Sequence, residues 1–225
     1  MYEATKYQSP TQSISGALAT NKVLRNTYAL LSMTLMFSAI AAGASMAIGL
    51  PSLAAMGCSL GALALIWFVI PRTQHTSAGI IWVFAMTGLL GAGLGPMLSH
   101  YLATPAGASI VMQALAGTGL IFVGMSGYAM VTKRDFSFMG GFLFAGILIA
   151  FFAGLANIFL QIPVLHLVVS IMFAGLSSLL ILFETNRIVR GGETNYISAT
   201  VSLYVSIYNL FVSLLSILGV MGGDD

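Results

Sequence analysis

Charge is nearly missing from this chain. Lys, Arg, Asp and Glu make up 6% of its 225 residues, against about 25% in soluble domains. With so little polar surface to face water, the chain is matched to lipid as its solvent. The eight Lys and Arg residues are too few and too dispersed to follow a phosphate backbone, which excludes a nucleic-acid partner. Cysteine is reduced to Cys58. No intrachain disulfide forms, and the position of Cys58 inside an apolar run makes it a small packing residue. Histidine is limited to His75, His100 and His166. Without a Cys/His pair at ligand spacing, no metal site is expected. No phosphate loop, dinucleotide fingerprint or HExxH occurs, so neither a cofactor nor a catalytic residue is assigned.

Long apolar runs fill the space that charge leaves. Windows of about 19 residues mark seven of them, at 26–49, 52–70, 78–101, 106–131, 138–159, 163–188 and 196–220. Each can cross ~30 Å of hydrocarbon at ~1.5 Å per residue. They lack the polar–apolar alternation of barrel strands, and backbone groups in lipid must pair within the segment. The expected fold is therefore all-α, an integral membrane bundle of seven transmembrane helices. Short gaps at Leu50-Pro51-Ser52, Thr104-Pro105-Ala106-Gly107 and Gln161-Ile162-Pro163 carry turn chemistry but no cation. Lys6, Lys22, Arg25, Arg72, Lys133, Arg134 and Arg190 fall in the alternate gaps, and Arg187 lies at the adjoining end of the sixth run. The positive-inside rule makes that face cytoplasmic, with the N-terminus inside and the C-terminus outside.

Residues 1–25 are polar and rich in Ser and Thr. They are expected to form a flexible cytoplasmic tail, with helix near Leu18–Arg25, ahead of a transmembrane domain at 26–225. Ala42-Gly43-Ala44 resembles a signal-peptidase site, but the apolar run around it exceeds the usual ~7–15 residues, so the first span is expected to be retained.

Within the spans, polar residues are rare enough to weigh singly. Ser198, Ser202, Ser206, Asn209, Ser213 and Ser216 recur at the helical period and share one face of the last span. Such a stripe faces protein. It is either a tight packing surface, with hydroxyls bonded back to their own helix, or the wall of a polar cavity. Glu184 is the one acidic residue inside an apolar span, with Arg187 one turn beyond it. The pair reads either as an interfacial ion pair or as a proton- or cation-responsive latch. Gly57-x3-Gly61, Gly91-x3-Gly95 and Ala150-x3-Gly154 are candidates for close helix approach. Pro96 is expected to kink or loosen the third span. Gly124-Met125-Ser126-Gly127 has the form of an intramembrane-protease nucleophile motif. Topology places Ser126 and His166 near opposite faces, roughly 25 Å apart along the normal. A Ser–His dyad needs about 3 Å, so no enzyme activity is expected.

From Phe183 to Gly219 the chain resembles the Bax-inhibitor-one (TMBIM) family. Glu184-Thr185-Asn186 stands where that family has an Asp-Thr-Gln-like motif. Leu203-Tyr204-Val205-Ser206-Ile207-Tyr208-Asn209-Leu210-Phe211 stands where it has Leu-Tyr-Leu-Asp-x-Ile-Asn-Leu-Phe. Lys22–Tyr28, Gly191–Ile197 and Ala199–Ser206 look most like a bacterial inner-membrane branch that modulates the FtsH protease. The resemblance implies six helices around a central seventh, a multi-pass place in the bacterial inner membrane, and FtsH and membrane lipids as partners. Its alternative implication is a Ca²⁺ or H⁺ leak path. In the family that path is controlled by paired Asp residues on the sixth and seventh helices. This chain has Glu184 at the first position and Ser206 at the second, and one carboxylate facing a serine cannot titrate as a pair. The family's Arg in the second helix has no counterpart here, since Arg72 follows that span. Glu184, Arg187, Ser206 and Asn209 are the latch or ion-path candidates.

Overall fold

The computed structural model describes residues 10–222, with side chains from Thr20 onward. Among these residues the chain is helical with no strand, and seven helices are long and apolar enough to cross a membrane. They are α1 (Pro10–Ala47), α2 (Ser52–Thr73), α3 (Ala78–Leu102), α4 (Gly107–Val131), α5 (Met139–Leu160), α6 (Pro163–Val189) and α7 (Tyr196–Met221). The spans agree with the apolar windows to within a few residues except at the first, whose helix reaches back to Pro10. The segment expected as a tail overlaps this helix from Pro10 onward, while residues 1–9 lie outside the described residues.

The seventh helix is the most buried span, as the resemblance implies. It packs against α1, α3, α4 and α6. The remaining two helices sit further out, α2 resting on α3 and α5 on α6. Leu203, Leu210 and Leu215 on α7 are fully buried, as are Ser206 and Ser213 to within a few per cent. The helix is thus enclosed on more than its polar stripe. Ser206 donates to the Ser202 carbonyl one turn back at 2.9 Å, the packing arrangement rather than the cavity one.

Two proline sites show how carbonyls within the spans are satisfied by side chains. In α3 the helix runs through Pro96. Pro96 has no N–H for the Ala92 carbonyl. The Ser45 hydroxyl of α1 fills that role, donating to the Ala92 oxygen at 2.7 Å. In α2, the turn Leu65–Val69 widens to a π-helix just before Pro71. The widened turn accommodates a ring that would otherwise press on the preceding turn. Arg72 then donates to the Phe68 carbonyl and Thr73 Oγ1 to that of Val69 at 2.9 Å.

The three small-residue motifs behave differently. A Cβ on Gly91 would run into the Ser38 carbonyl, and one on Gly95 into the Ser45 side chain, so α1 and α3 meet backbone to backbone there. Gly154 makes ordinary contact with Val169. Gly57 has open space around it.

Candidate functional site

The polar residues gather at the end of the bundle that carries the basic loops. Glu184, Thr185 and Asn186 are consecutive near the C-terminus of α6, all three buried. Helical geometry sends consecutive side chains about 100° apart, so each meets a different neighbour. Thr185 points inward. Its hydroxyl lies 3.3 Å from Tyr28 Oη on α1 and 3.4 Å from Ser126 Oγ on α4, tying three helices at one level. Asn186 reaches the α4–α5 loop, donating to the Arg134 carbonyl at 3.2 Å and accepting from the Phe136 N–H at 3.3 Å. Arg190 adds a bond to the Lys133 carbonyl of the same loop.

Glu184 faces Arg187, whose Nη1 lies 3.7 Å from Oε2, while Nη2 of the same guanidinium lies 3.4 Å from Glu193 Oε2. At 3.7 Å the first contact is electrostatic and not a hydrogen bond. Glu184 Oε2 is buried and has no hydrogen bond among the described residues. Glu193 is better held, accepting from the Asn195 N–H at 2.8 Å and from Ser198 Oγ at 3.4 Å. Asn195 caps α7 by accepting from the Ile197 and Ser198 N–H groups. Its amide also donates to the Gln74 carbonyl at 2.9 Å and lies 3.3 Å from His75 Nδ1. The α2–α3, α4–α5 and α6–α7 loops are thereby knitted into one polar face. On it Asp135 is held below the usual carboxylate range, first by its bonds from the Ser137 hydroxyl and N–H.

The sequence candidates do not all converge. Glu184 and Arg187 meet. Ser206 is buried on α7 and bonds within its own helix, and no hydrogen bond or ion pair among the described residues joins it to Glu184. Asn209 is half-buried, with no side-chain hydrogen bond among the described residues. Ser126 sits beside Thr185, which is 19 residues along α6 from His166, roughly 28 Å at 1.5 Å per residue. No Ser–His dyad forms. Near the other face, Asn157 accepts from the Ile162 N–H at 3.0 Å and closes the α5–α6 turn.

Sequence reasoning quoted Thr185 and Asn186 only as the place of a family motif, and gave Asn195 no role. An Asn directly before an apolar run was a readable cap signal at Asn195. The other two depend on which loops lie opposite, which no local pattern carries. One consequence is testable. Asn186→Ala removes both side-chain bonds to the α4–α5 loop, at a cost of about 1–3 kcal/mol. Trypsin cleavage after Lys133 or Arg134 should accelerate about tenfold or more in the variant, and only in vesicles that expose the basic loops. Equal cleavage of both proteins would show that the loop is held by other means.

A buried seventh helix among apolar spans, closed at one end by a basic, hydrogen-bonded face, defines a polytopic helical-bundle membrane protein. The comparisons narrow the class. The family model described as "Inhibitor of apoptosis-promoting Bax1" matches residues 20–223, and the chain belongs to that family. Among its relatives is the Escherichia coli K12 protein named "Modulator of FtsH protease YccA", 52% identical over 216 residues, covering 96% of this chain and 98% of the relative. A Vibrio cholerae protein described as an uncharacterized membrane protein is 53% identical over 215 residues, covering 96% of each chain. An E. coli O6:H1 protein named "Inner membrane protein YccA" is 52% identical over 216 residues, with the same coverage as the K12 protein.

Proposed function

We propose that this protein resides in the bacterial inner membrane and binds and restrains the FtsH membrane protease, without being an enzyme itself. The observation that carries this reading is the 52% identity, along nearly the whole of both chains, to the E. coli protein named as modulator of that protease. The basic face is the cytoplasmic one by the positive-inside rule, with the N-terminus inside and the C-terminus outside. The protease's ATP-driven machinery then meets the face where the α2–α3, α4–α5 and α6–α7 loops are joined by Asn186, Arg190 and Asn195. The N-terminal segment ahead of the first span offers it a handle, and a bundle closed on that face resists extraction. Purification from native membranes in mild detergent should recover the protease with this protein. Its absence, under conditions that keep the protease complex intact, would remove the reading.

A second reading, a Ca²⁺ or H⁺ leak path ending at Glu184, draws on its buried carboxylate oxygen without a hydrogen bond. The two are separable. On the leading reading, proteoliposomes show no Ca²⁺ flux above protein-free vesicles at any pH. Glu184→Gln and Arg187→Gln then each change stability by less than about 1 kcal/mol, because the pair is long and Arg187 is exposed to water. On the leak reading Glu184→Gln alters the flux, and Ser206→Asp, which restores the family's second carboxylate, raises it. A well-folded Ser206→Asp protein without flux removes the leak path.

A further inference from the structure

One cavity lies apart from the polar face. It has a volume of about 380 Å³ and is bounded by α1, α3, α4 and α7. Its wall is almost wholly apolar. Among its polar side chains, Ser38 and Tyr204 bond each other at 2.6 Å and Thr118 bonds the Ala114 carbonyl at 2.7 Å. The Tyr208 hydroxyl also lines it, without a hydrogen bond among the described residues, but no charged side chain does, so the wall offers no counter-charge to a charged head group. None of the residues of the α7 serine stripe lines it.

Its position says what it is matched to. On α4 the lining runs from Val111 to Phe122, 11 residues or roughly 16 Å along the helix. Val111 is four residues from the start of α4, at the end remote from the basic loops, and Tyr204 and Tyr208 on α7 close the cavity near mid-span. That length is about half of the ~30 Å hydrocarbon core, the depth of one leaflet. α1 and α4 flank the cavity without an extensive interface of their own, which leaves a lateral opening toward lipid. The wall also has a gap at Gly119, where an added Cβ would meet nothing within 4 Å.

We infer that this cavity is a binding site for one phospholipid acyl chain from the leaflet remote from the basic face. The chain enters between α1 and α4 and lies along α4 against the two tyrosine rings, whose centroids are 6.3 Å apart and nearly parallel. Its head group stays at the membrane surface beyond Val111. The site is independent of the proposed restraint of a protease.

The test uses the full protein in vesicles of phosphatidylethanolamine and phosphatidylglycerol, with a phosphatidylethanolamine probe carrying a diazirine midway along one chain. Cross-links should concentrate on the cavity segments of α4 and α7, above those on the lipid-facing Phe151 and Phe159 of α5. Gly119→Leu puts a branched side chain into the gap, and Ala39→Phe fills the cavity from the α1 wall. Each displaces at least two methylenes of the guest, at about 0.8 kcal/mol apiece, so each should cut cavity labelling about tenfold or more. Gly124→Leu, on the same helix but outside the cavity, should leave it unchanged. Folding is checked for every variant by gel filtration, and the two filling variants act from opposite walls. Even labelling of α4, α5 and α7, or cavity labelling that survives both substitutions in folded protein, would reduce the lipid to an ordinary annulus and overturn the site. Labelling lost when a membrane partner is co-reconstituted would give the cavity to a partner helix instead.

Discussion

Gly91→Leu should leave little folded protein in the membrane, whereas Gly57→Leu should be nearly silent. Both glycines open a Gly-x3-Gly motif in an apolar helix. At Gly91 the helix faces the backbone of α1, and any Cβ would overlap the Ser38 carbonyl. Backbone cannot rotate aside as a side chain can, so α3 would have to withdraw from α1 along the whole contact. The Ser45 bond to Ala92, two turns further along α1, would go with it. Overpacking alone costs about 1–3 kcal/mol, and the lost contact and freed carbonyl add to that. A deficit of ~3 kcal/mol lowers the ratio of folded to unfolded protein by about two orders of magnitude. At Gly57 nothing lies within 4 Å and the residue is exposed, so a leucine side chain simply meets lipid. Denaturant titration of the purified proteins in detergent checks both. Equal midpoints for Gly91→Leu and the parent would mean that α1 and α3 are not in contact at this level.

Deleting Tyr2–Thr20 should lengthen the lifetime of the protein several-fold in cells with active FtsH, with insertion of all seven spans intact. The argument joins two requirements. An ATP-driven protease needs an accessible segment to grip before it can pull, and on this reading the segments it meets elsewhere on the cytoplasmic face are short and hydrogen-bonded. Asn186 holds the α4–α5 loop and Asn195 holds the α2–α3 loop. The N-terminal segment is the one left to grip. If restraint acts by occupying the protease, the shortened protein should also relieve it, seen as faster turnover of the protease's other substrates. Pulse-chase measurement gives both rates. Unchanged turnover of the shortened protein would rule out the handle and leave contacts within the bilayer as the route.

The architecture was readable because hydrocarbon thickness imposes a length on every span, and that length is visible in a window of residues. The sixth and seventh spans fell within a residue of their helices. The cations were equally plain, since their segregation among the gaps needs no contact information. Less was legible where meaning depends on the opposite wall. Gly57 and Gly91 are alike in spacing, and only the position of α1 separates them. Pro96 reads as a break in sequence, yet the helix continues because a serine 51 residues earlier replaces the missing donor. The stripe on α7 was periodic enough to place on one face. Its companion faces are buried too, and the cavity lies against the tyrosines instead. Glu184 stood out by charge alone, while its neighbours Thr185 and Asn186 were noted as part of a family motif and their joining of helices and loop was not readable.

The Ser45–Ala92 bond has a mechanical consequence. A motor that draws this chain out by its N-terminus dislodges α1 first, and with it goes the hydroxyl that substitutes in α3 for the proline's absent N–H. The Ala92 oxygen is then left bare in hydrocarbon, where an unpaired carbonyl costs several kcal/mol and no water arrives to replace the donor. That penalty is met while α1 is drawn out, before any later helix has begun to yield. A grip that slips there lets α1 snap back, and the cycle of hydrolysis repeats without net travel. A single hydroxyl on the first helix to be pulled would thus add to the resistance that such a motor meets.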